Sequence, residues 1–96
     1  RYPPFKRLAL LLYSGPGHKK SGEAAYKLVD RLRRHVQRMG LPAVEIIGPT
    51  PSYVRRVNNQ YRWDVLVRAY DPASVLRPLL PLPRGWKIDI DPVSLL

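Results

Sequence analysis

Proline decides where regular structure can run in this chain. Eleven prolines are spread over 96 residues. Each lacks a backbone donor and has a fixed φ, so helices end at prolines and central strands avoid them. Pro3-Pro4 holds residues 1–5 as an extended lead-in. Pro42 closes the clearest helical pattern, and Gly48-Pro49-Thr50-Pro51 interrupts a strand. Pro78, Pro81 and Pro83 keep any helix that starts at Pro72 short, and Pro92 closes the last strand.

Between these stops the hydrophobic period changes character. Residues 6–14 follow no helical period and read as a central strand, with Leu8, Leu10 and Leu12 on one face and Ala9, Leu11 and Tyr13 on the other. Residues 22–39 place Ala25, Leu28, Val29, Leu32, Val36 and Met39 at steps of three and four, an amphipathic helix. Ser21 is its expected N-cap, Glu23 its favourable acid, and Gly40 its left-handed stop. Residues 43–47 read as a second strand and 52–60 as a polar, basic arm. Residues 61–70 alternate, Trp63, Val65, Val67 and Ala69 against Arg62, Asp64, Leu66 and Arg68. Asp71-Pro72 looks like a cap followed by proline at the first helical position. Residues 86–91 alternate once more.

The expected order is β-α-β-β-α-β. That is an α+β, ferredoxin-like split βαβ fold: one four-stranded sheet with two helices on one face. The other face is expected to show Arg62, Asp64, Arg68, Lys87 and Asp89. Residues 1–96 are expected to form one domain of a longer parent, since the chain does not open on Met.

Seventeen Lys+Arg oppose seven Asp+Glu, a formal +10. Twelve of the seventeen are arginine, whose planar fork suits phosphate. Such an excess attracts polyanions, nucleic acid first among them. With no cysteine there is no disulfide framework and no thiolate metal site. No apolar run approaches the ~20 residues of a membrane span.

The chemical motifs are weak. Gly15-Pro16-Gly17-His18-Lys19-Lys20-Ser21 imitates a phosphate loop, but Lys19 stands where the glycine before Lys-Ser is required. Lys19 and Lys20 beside a helix start remain able to meet a nucleic-acid phosphate. His18 and His35 have no ligating neighbour at helical spacing, and Asp89 and Asp91 are expected to pair with Arg62 or Arg68 across the sheet. No nucleophile–base pair is evident, so no catalysis is expected of this chain. The basic-aromatic arm is the best binding candidate: Tyr53, Tyr61 and Trp63 are interleaved with Arg55, Arg56 and Arg62. Aromatic rings stack bases while arginines neutralise phosphates, although Trp63 also suits a core. The helix face Lys27, Arg31, Arg34, Arg38 reads first as a solvated face.

Three stretches together resemble one family: Tyr2-Pro3-Pro4-Phe5 with Arg7-Leu8-Ala9-Leu10; Gly48-Pro49-x-Pro51 with Tyr61-Arg62-Trp63; and Ile88-Asp89-Ile90-Asp91-Pro92-x-Ser94-Leu95-Leu96. Nearly the whole chain is similar to the C-terminal domain of the PriA family, primosomal protein N′ of bacterial replication restart. The resemblance implies an ATP-driven DNA helicase as parent, with a zinc-binding insertion. ATP and zinc belong to that parent, and no cofactor is expected here. It also implies a bacterial, cytoplasmic, nucleoid-associated setting. The implied role is binding single-stranded or forked DNA and packing on the helicase core. The family docks the acidic tail of single-stranded-DNA-binding protein with a basic and a polar residue at the second helix. The matching positions are Pro72 and Leu76, which cannot hold a carboxylate, so Arg68 and Arg77 are left to take that part.

The expected DNA contacts are therefore Lys19, Lys20, Arg55, Arg56, Arg62 and Arg68, and the expected partner contacts Arg68 and Arg77. A protein-interaction domain is the alternative. A ribosomal-type RNA-binding module is a further one, against which Asp89-x-Asp91-Pro92 argues.

Overall fold

The computed structural model describes residues 6–52 and 60–90. Strand β1 (Arg7–Pro16) leads into helix α1 (His18–Met39). Strands β2 (Glu45–Pro51) and β3 (Gln60–Ala69) follow. The short helix α2 (Pro72–Leu76) tightens into a 3₁₀ turn (Arg77–Leu79) before strand β4 (Trp86–Ile90). The sheet order is β2-β3-β1-β4 with every pair antiparallel. Two β-α-β halves interleave, which is the ferredoxin-like α+β architecture anticipated above.

Period-two alternation builds the core. In register, Ala9 faces Val67 and Leu11 faces Val65 across β1–β3, and Leu11 faces Ile88 across β1–β4. Leu28, Val29 and Leu32 of α1 pack on these residues together with Val75, Leu76 and Leu79. Both helical segments therefore cover one face of the sheet. Burying each such side chain stabilises the fold by roughly 1.5–3 kcal/mol. The opposite face carries Arg62, Asp64, Arg68, Lys87 and Asp89 as expected, and between them half-buried Leu8, Leu10, Leu12 and Leu66.

The C-terminus of α1 is a Schellman turn. Gly40 adopts φ 62, its N–H donates to Gln37 O, and Leu41 N–H donates to Val36 O at 3.1 Å. Leu41 and Val36 are both half-buried and pack against the core. Met39, expected on the core face, is 61% exposed instead.

The N-terminus differs from expectation. α1 starts at His18, with Gly17 at the N-cap position and no side-chain cap, so Ser21 lies inside the helix and Glu23 outside its first turn. β2 also differs: it runs through Gly48-Pro49-Thr50-Pro51 with a register shift between Ile47 and Thr50. An edge strand tolerates this, because a bulge absorbs the extra residue and the prolines forgo no interior ladder bond. Gly48 is needed there. At φ 110, a Cβ on it would stand 2.7 Å from Asp64 O. At α2, Asp71 caps as expected: its carboxylate accepts from Ser74 N–H at 3.4 Å and from Ser74 Oγ at 2.6 Å. Those bonds hold its pKa below the ordinary value.

Candidate nucleic-acid interface

The end of the sheet where β1 stops gathers rings and cations. β1 passes into α1 through Gly17 alone, and Lys19 and Lys20 occupy the exposed first turn, which contains no acid. Two cations at the positive end of a helix dipole oppose stability. They suit a partner that brings negative charge.

Beneath them Trp63 anchors an aromatic cluster. Its indole Nε1–H donates to Ser21 Oγ at 2.9 Å, and Ser21 Oγ–H donates to His18 O at 3.1 Å. Ser21 thus serves a tertiary bond in place of a cap. Gly22 makes room: a Cβ there would lie 2.9 Å from Trp63 Cζ2. His18 stands edge-on to Tyr61 at 5.5 Å and tilted over Trp63 at 5.6 Å, while Tyr26 meets Trp63 at 6.2 Å. Trp63 is only 6% exposed, so it props the cluster and leaves the accessible rings to its neighbours. A cleft of about 140 Å³ is lined by His18, Pro51, Ser52, Gln60, Tyr61, Arg62 and Trp63. Ser52 and Gln60 flank residues 53–59 in sequence, and Ser52 N–H donates to Arg62 O at 2.9 Å.

The expected contacts do not all converge. Lys19, Lys20 and Arg62 share this end of the sheet. Arg55 and Arg56 lie outside the described residues. Arg68 sits at the far end of β3, about 20 Å from Arg62 at the rise of an extended strand. There its guanidinium donates to Glu45 at 2.7 and 3.0 Å, and Lys6 Nζ donates to the same carboxylate at 3.2 Å. The two cations, Arg68 first, hold the Glu45 pKa below its ordinary value. Arg77 is exposed where α2 becomes 3₁₀, again at that far end. Asp89 does not take the pairing expected of it: it lies opposite Leu10, with β1 between it and β3, and the carboxylate partner of Arg68 is Glu45. Asp91 lies outside the described residues. Pro72 and Leu76 are both buried.

Arg84 was not singled out from sequence. It stands in a Pro-Arg-Gly turn held against β1, since Ser14 N–H donates to Gly85 O at 3.1 Å. The turn's glycine, at φ 99, approaches Tyr13 to a distance no Cβ allows. Zinc and ATP, implied for the parent, do not fit these residues. The chain has no cysteine, no three His, Asp or Glu side chains gather among the described residues, and Gly17 alone leaves no loop to wrap a triphosphate. Among the described residues no helix is long and apolar enough to cross a membrane.

Fold and site together define a basic α+β module with its cations sorted by position. Its family follows from sequence comparison: residues 1–93 match the primosomal protein N C-terminal domain, and the chain belongs to that family. It is 29% identical over 103 residues to the replication restart protein PriA of Synechocystis sp., covering 98% of this chain and 12% of that protein. It is 32% identical over 98 residues to the probable replication restart protein PriA of Deinococcus radiodurans, covering 97% of this chain and 10% of the relative. The chain spans about a tenth of the length of these curated relatives.

Proposed function

We propose that this chain is a DNA-binding accessory domain of a PriA-like protein in replication restart. In this reading it holds single-stranded or branched DNA without reading base sequence. The observation that carries the proposal is the sorting of charge: Lys19, Lys20 and Arg62 lie at the same end of the sheet as the His18–Tyr61–Trp63 cluster, where Ser52 and Gln60, which flank Arg55 and Arg56 in sequence, line the cleft. Phosphates would meet the cations and a splayed base the exposed ring edges. Contacts of this kind position the nucleic acid and carry no sequence code.

Fluorescence anisotropy of the chain with labelled single-stranded, duplex and forked DNA, at roughly 50 and 200 mM salt, tests this. Binding that weakens steeply with salt and favours single strand or fork is expected. Affinity that is flat with salt refutes the reading, and stronger binding to structured RNA turns it toward a ribosomal-type module.

A second reading has its own observation. The strip Leu8, Leu10, Leu12 and Leu66, extended by Ile47 at 50% exposure, leaves an apolar sheet face that suits packing against the helicase core of the parent. Charge reversal at Arg55 and Arg56 that leaves DNA binding of the full-length protein intact would favour it. Docking of the acidic tail of single-stranded-DNA-binding protein would rest on Arg77, since Arg68 is already paired to Glu45. A nucleoid-associated, cytoplasmic site of action follows from the same reading.

A further inference from the structure

A second basic-aromatic site lies on the helix side of the sheet, away from the His18 cluster. A cleft of about 280 Å³ opens between α1 and the Pro83–Gly85 turn, lined by Tyr13, Lys27, Leu28, Arg31, Arg84 and Trp86 among others. Its floor is formed by aromatic and aliphatic side chains. Tyr13 and Trp86 are cross-strand partners on β1 and β4 with ring centroids 5.1 Å apart, both half-buried, and Leu28 belongs to the core. The rim is cationic. Lys27, Arg31 and Arg84 are exposed and, among the described residues, have no carboxylate within ion-pair distance.

The rim does not end at the cleft. A neighbouring groove of about 300 Å³ shares Lys27 and Arg31 and continues to Arg34 and Arg38, with Asp30 paired to Arg34. At the rise of an α-helix, Lys27 to Arg38 spans about 17 Å. A row of that length exceeds any single small anion and fits a linear polyanion. Two ring faces at one end of the row are of no use to an acidic peptide's carboxylates, but they are what an unstacked base needs. The cleft is also too small for a base pair within a duplex, since its volume sits at the lower limit of small-molecule pockets.

We propose that this cleft receives an unpaired nucleobase of single-stranded DNA on Trp86 and Tyr13, with flanking phosphates on Arg84, Arg31 and Lys27. The strand then follows α1 toward Arg38. The inference rests on the DNA-binding reading above and adds a site that reading does not contain.

The test uses tryptophan fluorescence with an oligothymidylate of about twelve nucleotides and an abasic strand of equal length and charge. Trp63 lines the cleft at the other DNA site, so the titration is run on Trp63→Phe, in which Trp86 is the remaining tryptophan. The thymidylate is expected to quench and to bind roughly tenfold more tightly than the abasic strand, the difference being base stacking. Arg31→Ala with Arg84→Ala is expected to weaken thymidylate binding about tenfold and to lower the single-strand salt slope by about 1.4, two phosphate contacts. Both positions are exposed, and an unchanged far-UV circular dichroism spectrum confirms the fold.

If the double arginine variant binds like wild type, or the abasic strand binds equally well without quenching, the base goes elsewhere; this inference falls and the DNA-binding reading stands. If poly-glutamate produces the same Arg31- and Arg84-dependent quenching, the cleft serves an acidic protein and the inference falls. Absence of DNA binding by wild type removes both.

Discussion

The two ends of the sheet spend the same charge differently. At the end holding the start of β1, basic residues meet acids of their own chain: Arg68 and Lys6 converge on Glu45, and Asp71 caps α2 beside Arg77. At the end where β1 stops, Lys19 and Lys20 sit on an uncapped helix start with no acid in its first turn, above an aromatic cluster. A net charge of +10 alone would predict a uniform polyanion sponge. The structure instead shows one end whose cations pair with an acid of the chain and one end whose cations sit on a helix start with no acid in its first turn. Position, more than total, decides which arginine or lysine is available.

The largest predicted effect tests what supports the free end. Trp63→Ala removes a buried indole together with its bond to Ser21. It should cost about 3–5 kcal/mol, a large share of the stability of a domain this size, read as a shift in the urea midpoint. Trp63→Phe keeps most of the ring and loses the hydrogen bond, at about 1 kcal/mol. If both variants cost the same, the indole bond holds the cluster and packing does not.

The next effect sets stability against binding. Lys19→Glu with Lys20→Glu brings negative charge to the positive end of α1. Each should raise stability by roughly 0.3–1 kcal/mol while DNA affinity falls. Arg68→Ala should leave the salt slope of DNA binding unchanged, its charge being committed to Glu45. A thermal melt and anisotropy on the same samples check all three. Equal losses of DNA affinity at both ends would erase the contrast between them.

That contrast was only half legible beforehand. Alternation along residues 61–70 and 86–90, the left-handed Gly40 and the Asp71 cap are local signals, and each maps onto the observed element. The pairing of Arg68 with Glu45 is not local, because it joins residues 23 apart in sequence. The start of α1 was misplaced for the same reason. Ser21 looks like a cap by its neighbours, but its hydroxyl is engaged by Trp63, 42 residues away. Gly48-Pro49-Thr50-Pro51 reads as a break because prolines break interior strands, and β2 survives it by lying at the sheet edge. Arg84 carried no period or motif. Its signal was the following glycine, whose positive φ lets the turn close on Tyr13.

A smaller effect concerns Asp64, between the two ends on β3. Among the described residues its buried Oδ1 has no hydrogen-bond partner, and burial pushes its pKa above the ordinary value, against a weaker pull from Arg62. An acid with a raised folded pKa costs nothing at low pH, where both states are protonated. The cost grows as pH rises through the unfolded value of 3.8 and is complete above the folded one. Asp64→Asn should therefore stabilise the neutral-pH protein by up to about 1 kcal/mol and lose that gain in acid. A pH series of urea midpoints for both proteins reads it out.

The smallest effect is the one that defines the committed end. Glu45 is on the surface, so its ion pairs with Arg68 and Lys6 are screened and worth little at neutral pH. Its folded pKa is lowered, which gives the opposite sign to Asp64. The stabilisation is present above the unfolded value of 4.5 and is lost as pH falls through the folded value. Arg68→Ala should flatten the acid limb of the stability curve below pH 4.5 while barely moving the neutral midpoint. Salt should shrink the wild-type limb in the same way, by screening the pair. If Arg68→Ala leaves the acid limb unchanged and lowers DNA affinity instead, Arg68 belongs with Lys19 and Lys20 as an available cation, and the two ends of the sheet differ in geometry but not in use.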